Sequence, residues 1–315
     1  MAATSGTAPL VLRILASSVN VAHRAGKIIR EVMSKGELGI VEKGKNDLQT
    51  EADRSAQRCI MASLHRQFPK IALFGEEELD PREQIPAEYI EGGQSEDVLK
   101  VAAQFPDNLK VAKDEDIVVW IDPLDGTAEY TQGLLDHVTV LIGISFKGTA
   151  VAGVVYQPYF NYQTPGATLG RCIWGIVGVG SYGYTEGKPP EGENIITTTR
   201  SHSNRTVTEA VESCEPTEVV RVGGAGHKVL LILEGKAHAY VFASPGCKKW
   251  DTAAPEAVLH AAGGKLTDMH GNQMQYHHTV QRRNTGGVLA TPTVDTHSWY
   301  LERIPDSVKA ALPTT

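Results

Sequence analysis

The chain has 315 residues, 41% hydrophobic and 21% charged, enough for a substantial core in about two domains or one large one. Its formal net charge of −7 argues against a general nucleic-acid binder, for which a basic face is expected. Four cysteines (Cys59, Cys172, Cys214 and Cys247) lie far apart without CxxC spacing, which argues against a disulfide framework or zinc ribbon and fits a reducing compartment. No run is apolar and long enough to span a bilayer, and Met1 to Pro9 carries no charged n-region or signal-length apolar run. A cytoplasmic protein without a membrane partner is expected.

In chain order, Leu15, Val19, Ala22, Gly26, Ile29 and Met33 recur every three or four positions, predicting an amphipathic helix over 10–33 that Gly36 and Gly39 break. The polar stretch 41–50 reads as a hairpin or loop. A second helix carries Ala56, Ile60, Leu64 and Phe68 on one face, with Pro69 after it. A short strand at 71–74 runs into Gly75-Glu76-Glu77-Glu78. Residues 80–115, acidic and interrupted by Pro81, Pro86 and Pro106, read as a surface excursion with a short helix near 97–105. The apolar run 118–121 predicts a buried strand ending at Asp122, because Pro123 has no N–H to give a ladder. A hairpin follows at 138–146 and 150–156. Beyond Gln157-Pro158 come short strands at 172–177, 183–185, 194–199, 219–222, 239–243, 266–268 and 287–290. Helices are expected at 206–213, 227–234, 251–262 and 298–311. The elements are mixed rather than strictly alternating, so a mixed α/β chain of stacked layers is expected, not a Rossmann or TIM arrangement. The expected halves are an N-terminal α+β half, 1–158, and a C-terminal α/β half, 159–315.

The chemistry concentrates at Asp122-Pro-Leu-Asp125-Gly-Thr127. Two fixed carboxylates repel unless a cation sits between them, and Mg²⁺ takes oxygen ligands of this kind. The Leu124 carbonyl could add an oxygen, and Gly126 and Thr127 offer N–H groups and a hydroxyl to an anion. The same residues also make an ordinary turn. Asp53 follows Thr50 at capping-box spacing, which accounts for it without a metal-bound water. Glu76 is the glutamate nearest its strand end, although a solvated acidic turn would look the same. Asp251 suits a helix N-cap, yet the neighbouring Lys248 and Lys249 and the positive helix end also suit a metal–phosphate site. Thr199, His202, Gly223-Gly-Ala-Gly226 and Lys228 form a possible anion- and base-binding lip. HExxH, GxSxG and Walker patterns are absent, which weakens the readings as zinc peptidase, serine hydrolase and P-loop protein.

Taken together and in this order, Glu76-Glu77, Asp122-Pro-Leu-Asp125-Gly-Thr127 and Trp250-Asp251-Thr-Ala-Ala-Pro resemble the three signature segments of the lithium-sensitive, magnesium-dependent phosphomonoesterases of the inositol monophosphatase type. Gly39-Ile-Val-Glu-Lys43, Asp47-Leu-Gln-Thr50, the stretch 195–204, Arg221 to Gly226 and Tyr240 to Asp251 are similar to the 3′(2′),5′-bisphosphate nucleotidase branch. The likeness runs from about residue 10 to about residue 311. It implies a layered αβαβα sandwich with the site between the halves. It implies that Glu76, Asp122, the Leu124 carbonyl, Asp125 and Asp251 hold two or three Mg²⁺, and that Asp53 and Thr127 handle the attacking water. Gly126, Thr199, His202, Gly224 and Lys228 would contact substrate. The reaction implied is removal of the 3′-phosphate of 3′-phosphoadenosine 5′-phosphate to give AMP, inhibited by Li⁺, in a monomer. The sulfated nucleotide and inositol 1,4-bisphosphate are further candidate substrates. Ala128 and His227 depart from the Lys and Asn expected of close relatives, which bears on substrate preference. The alternatives are an inositol polyphosphate 1-phosphatase and a non-catalytic protein that holds nucleotide or metal.

Overall fold

The computed structural model describes residues 8–44, 47–80 and 82–314. Lys45 and Asn46 of the expected 41–50 hairpin, Pro81 of the acidic excursion, and residues 1–7 of the N-terminal stretch lie outside the described residues. The chain opens with α1 (Leu10–Lys35), which stops at Gly36 in the left-handed conformation, φ 76°. The antiparallel pair β1 (Val41–Gly44) and β2 (Asp47–Gln49) leads into α2 (Glu51–Gln67).

A six-stranded sheet follows, built from β3 (Ala72–Gly75), β4 (Ile117–Asp125), β5 (Thr139–Phe146), β6 (Thr149–Gln157), β7 (Arg171–Ile176) and β8 (Gly180–Tyr182), side by side in that order. Only β3 and β4 pair in parallel. The acidic excursion between them holds two one-turn helices, α3 (Glu96–Leu99) and α4 (Asp107–Lys110), with 3₁₀ turns around them. The helix α5 (Thr127–Thr131) leaves the end of β4. A second sheet contains β9 (Ile195–Thr199), β10 (Glu218–Val222), β11 (Ala239–Phe242), β12 (Lys265–Thr267) and β13 (Val288–Thr291), in the order β10-β9-β11-β13-β12. Its helices are α6 (Arg205–Ser213), α7 (Ala225–Leu233), α8 (Lys249–Ala261), α9 (Val294–Arg303) and α10 (Asp306–Ala311).

The period-two alternation of the strands sets the layers. Ile117, Val119 and Ile121 of β4 pack with α1 and α2, whereas Val118 and Trp120 face α7 and α8. In the second sheet Tyr240 and Phe242 look back toward α7 and α8, and Ala239 and Val241 pack under α6, α9 and α10. The result is α1/α2, sheet, α7/α8, sheet, α6/α9/α10, the expected five-layer sandwich.

A row of glycines lets α8 sit unusually close to the first sheet. Gly143, Gly153 and Gly175 lie directly opposite one another across β5, β6 and β7. A Cβ at Gly143 would stand 2.5 Å from the Ala254 nitrogen, and one at Gly153 would stand 2.7 Å from the Ala254 carbonyl oxygen. Any larger residue there would lift α8, and Asp251 sits in its first turn.

Four sequence expectations are corrected. The sheet begun in the first half runs through β7 and β8, so the break between the sheets falls after Tyr182 rather than after residue 158. The strand expected at 183–185 lies at β8, because Gly183, φ 92°, ends it. The terminal helix is two, since Pro305 cannot continue the first and caps the second. Finally, β4 does not stop at Asp122. It passes through Pro123 to Asp125, with Asp122 opposite Leu141 and Asp125 opposite Thr139, so three steps on β4 match two on β5. Pro123 occupies this bulge, where no ladder N–H is required.

Candidate active site

The bulge explains the two aspartates. Residues three apart on a regular strand point to opposite faces, but one extra residue brings them to the same side. Asp122 and Asp125 both line a cleft of about 320 Å³ between the sheets, and Glu76, Leu124 and Asp251 line it too. Glu76 comes from the turn after β3. The neighbouring Glu77 is turned away: its carboxylate takes Lys43 Nζ at 2.7 and 2.9 Å and the Gln49 amide, and its backbone N–H is donated to Gln57 Oε1 at 2.8 Å. That clamp settles which glutamate of the run faces the cleft.

Asp251 is the third residue of α8, not its N-cap. Its Oδ2 accepts the Lys248 N–H at 2.8 Å. Asp53 does form the capping box read from the sequence, accepting the Thr50 N–H at 2.7 Å. Its other oxygen accepts from the Thr127 hydroxyl at 3.0 Å. That hydroxyl also lies 3.0 Å from the Leu124 carbonyl oxygen, so one proton serves two acceptors. Asp53 therefore caps α2 with one oxygen and bonds Thr127 with the other.

Burial and mutual repulsion set the electrostatics of the cleft. Burial is the main cause that raises every one of these carboxyls. Glu76 is pushed up to about 8, with Asp251 adding to the effect and Lys43 opposing it. Asp122 is pushed well above the carboxylate range by burial, then by Glu76 and Asp125. Asp251 is raised to about 6 and Asp53 to about 6. Buried acids that repel one another and see only oxygen donors are a fitting set for a hard divalent cation. Among the described residues they are not drawn into a ready-made cage. Like charges keep apart, and Asp125 has other partners. It accepts from Ala225 N–H at 2.9 Å, Gly226 N–H at 2.8 Å and the Thr139 hydroxyl at 2.7 Å, tying β4 to the first turn of α7.

The expected lip assembles on the far wall. Gly126, Thr199, His202, Gly224 and Lys228 all line the cleft. Thr199 Oγ1 accepts the His202 N–H at 3.0 Å, and Lys228 Nζ reaches the Gly224 carbonyl at 2.8 Å. Gly126, φ 93°, and Gly224, φ 71°, both back onto the His137 carbonyl. A Cβ on Gly224 would stand 2.6 Å from it. Ala128 lines the cleft, but His227 does not; it stacks on His137 with ring centroids 5.0 Å apart. Lys248, expected beside Asp251, lines the cleft too, and so do Tyr240, Phe242, Glu129 and Arg283, which the sequence did not single out. The aromatic pair lies in the strand expected at 239–243, and Glu129 and Arg283 have no motif around them.

The profile of the inositol monophosphatase family matches residues 12–308. The chain belongs to that family. It is 55% identical to the human protein 3′(2′),5′-bisphosphate nucleotidase 1 over 305 residues, covering 96% of this chain and 97% of that one. The Dictyostelium discoideum protein of the same name is 38% identical, covering 93% and 96%. Among solved structures, the extragenic suppressor protein suhB of Bartonella henselae superposes with a TM-score of 0.66 at 20% identity, covering 92% of this chain and 97% of that chain. The Thermotoga maritima IMPase superposes with 0.64 at 20% identity, covering 92% and 96%. These two likenesses establish the fold. No helix among the described residues is long and apolar enough to cross a membrane.

Proposed function

We propose that the chain is a Mg²⁺-dependent phosphomonoesterase that removes the 3′-phosphate of 3′-phosphoadenosine 5′-phosphate, leaving AMP. The observation that carries the reading is the cleft where Glu76, Asp122, the Leu124 carbonyl, Asp125 and Asp251 meet Asp53–Thr127, in a chain 55% identical to a bisphosphate nucleotidase. Glu76, Asp122, Leu124, Asp125 and Asp251 would hold two or three Mg²⁺. Metal bound there neutralises phosphate charge, lowers the pKa of water and stabilises the leaving oxygen.

The chain's own residues do the rest. Asp53, with a proton affinity raised to about 6, is poised to accept a proton near neutral pH. Thr127 relays it: the hydroxyl oxygen takes a proton from the attacking water and passes its own to Asp53 Oδ1. Thr50 holds the other Asp53 oxygen, so the carboxylate cannot rotate away. Thr199, His202, Gly224 and Lys228 bind and orient the nucleotide, and Tyr240 and Phe242 give it an apolar wall. The burial of Cys172 and Cys247 pushes both thiols up to about 12, which leaves no thiolate nucleophile in competition. The four cysteines are free, in keeping with a cytoplasmic setting. We take the working form to be a monomer.

The test is phosphate release from 3′-phosphoadenosine 5′-phosphate and from inositol 1,4-bisphosphate, with and without Mg²⁺. Mg²⁺-dependent release from the nucleotide is expected, and LiCl should inhibit it beyond an NaCl control of equal ionic strength. Release from the inositol ester alone would favour an inositol polyphosphate 1-phosphatase. Nucleotide binding without release would make the chain a binding protein.

A further inference from the structure

The nucleotide lip is loop backbone, and something must hold it in register with the acids across the cleft. Gly126 follows β4, and Gly223 and Gly224 lead into α7. Three N–H groups at this end of α7 are tied to the first sheet and to the turn before β5. Those of Ala225 and Gly226 go to Asp125, and that of Gly223 goes to His137 Nδ1 at 3.1 Å. Asp125 lines the cleft, whereas His137 stands behind its wall, half-buried and outside the lining.

His137 closes the 3₁₀ turn Leu135–His137, just before β5. Its carbonyl is the atom on which two lip glycines rest. A Cβ would stand 3.3 Å from that oxygen at Gly126 and 2.6 Å from it at Gly224, so only bare backbone closes on it there. One residue therefore meets all three glycines, two through its carbonyl and one through its ring.

The ring is held in turn. His227, the third residue of α7, stacks on it with centroids 5.0 Å apart and planes 23° apart. This is the position where the family resemblance implies Asn. Among the described residues His227 Nδ1 is buried with no hydrogen-bond partner, so the ring works here through its face. The stack keeps the His137 ring in its plane, with Nδ1 aimed at Gly223.

We infer that His137 is a positioning residue for the nucleotide: it fixes Gly223 through its ring, seats Gly126 and Gly224 on its carbonyl, and is braced by His227. This role rests on the proposed activity, which gives the lip a nucleotide to hold. It also makes the hold depend on a proton. Nδ1 accepts the Gly223 N–H only while it carries no hydrogen, so the ring is neutral with its N–H at Nε2. A proton on Nδ1 would set two donors face to face. Burial is the main cause that lowers the His137 pKa from 6.5; Glu129 of α5 and Asp136 of its own turn oppose it, and Lys228 of α7 and Arg200 after β9 add to it. His227 is pushed down to about 3 by burial first, then by His137, Lys228, Lys236 and Arg171, so it stays neutral. The lip is held at neutral pH and let go only as pH falls below 6.5.

The experiment measures KM and kcat of the Mg²⁺-saturated full chain for adenosine 3′,5′-bisphosphate, and the Kd of AMP by calorimetry, at about pH 5.5 and about pH 7.5. His137→Phe keeps a ring on His227 but offers Gly223 no acceptor. Its KM should rise about 3- to 10-fold at the higher pH, the worth of one hydrogen bond, with kcat within about twofold of the wild type. His137→Asn puts an amide oxygen near the place of Nδ1 and takes up no proton. It should recover KM at the higher pH, and towards the lower pH its KM should climb about threefold less than that of the wild type. The Kd of AMP should follow KM in each protein. His137→Phe with KM and Kd within about twofold of the wild type would overturn the role. So would His137→Asn that is no better than His137→Phe, or that answers pH as the wild type does. A kcat loss in His137→Phe larger than its change in KM would overturn it too, placing His137 with the acids. A wild-type chain that binds AMP but releases no phosphate sinks the proposed activity instead, and the Kd values then judge His137 alone.

Discussion

The close seat of α8 can be tested by filling the glycine row. In Gly143→Ala the new methyl would meet the Ala254 nitrogen at 2.5 Å and the Ala253 Cβ at 2.6 Å. Carbon atoms in ordinary contact sit roughly 3.5–4.0 Å apart, so the first turns of α8 must retreat by about 1 Å. In Gly175→Ala the nearest atoms are the Ala261 Cβ at 3.0 Å and the Val258 Cα at 3.2 Å, near the other end of the helix. A shift of about half an ångström there leaves Asp251 nearly in place. All three glycines have ordinary φ, so with free space an alanine would stabilise the protein by about 0.4–1 kcal/mol through the unfolded chain. Overpacking instead costs about 1–3 kcal/mol, so the sign itself is diagnostic. Thermal melts and Mg²⁺ titrations of activity should rank Gly143→Ala as the worst, then Gly153→Ala, then Gly175→Ala. A displacement of 1 Å at Asp251 should cost roughly 10²-fold in kcat/KM. A Gly143→Ala protein with wild-type melting and turnover would refute the argument that the bare row positions Asp251.

Asp251→Asn should lose Mg²⁺-dependent phosphate release while the metal-free protein melts no lower at pH 8, because an uncompensated buried charge has been removed and the Lys248 N–H keeps an acceptor. A lower melting temperature would mean that Asp251 serves the fold first. Thr127→Ala should lower kcat by roughly 10²–10⁴-fold with little change in the Mg²⁺ concentration for half-maximal rate, and Thr127→Ser should restore much of it; near-normal kcat would leave Thr127 a turn residue. The rate should fall on the acid side of about pH 6 as Asp53 takes up a proton, and Asp53→Asn should abolish that limb along with most activity. The folded pKa of Asp53 lies above its unfolded value of 3.8, so its contribution to stability is full below that value and is lost as pH rises through about 6. The wild-type metal-free protein should accordingly lose more stability than Asp53→Asn between pH 4 and 7, as read from denaturant midpoints.

Much of this was legible because local signals and tertiary demands agree. The α1 stripe from Leu15 to Met33, the Thr50–Asp53 box and the Gly36 stop are local rules that the sandwich leaves intact. The candidate site acids were findable because Asp122, Asp125 and Asp251 sit in short motifs, Asp122-Pro-Leu-Asp125-Gly-Thr127 and Trp250-Asp251-Thr-Ala-Ala-Pro. The extent of β4 was not readable: Pro123 ends a regular ladder, and only the pairing with Leu141 and Thr139 shows that a bulge absorbs it. Glu76 was separable from Glu77 only through Lys43, Gln49 and Gln57, which come from two distant segments. Arg283 stayed hidden for a similar reason, since it lines the cleft only through an isolated bridge to Lys248, which leaves no periodicity in its own segment.

The position of α8 also has a consequence for synthesis. It is the central slab of the sandwich, yet it comes late in the chain. The first sheet is fully translated by Tyr182, but the helix that covers Trp120, Leu141, Val155 and Ile173 starts only at Lys249. At roughly 5–20 residues per second, that face waits several seconds on the ribosome without its cover. A chain cut before Lys249 would carry five of the six acids that line the cleft on a sheet whose second apolar side is covered by α7 alone. It would be a candidate for chaperone capture rather than a smaller enzyme.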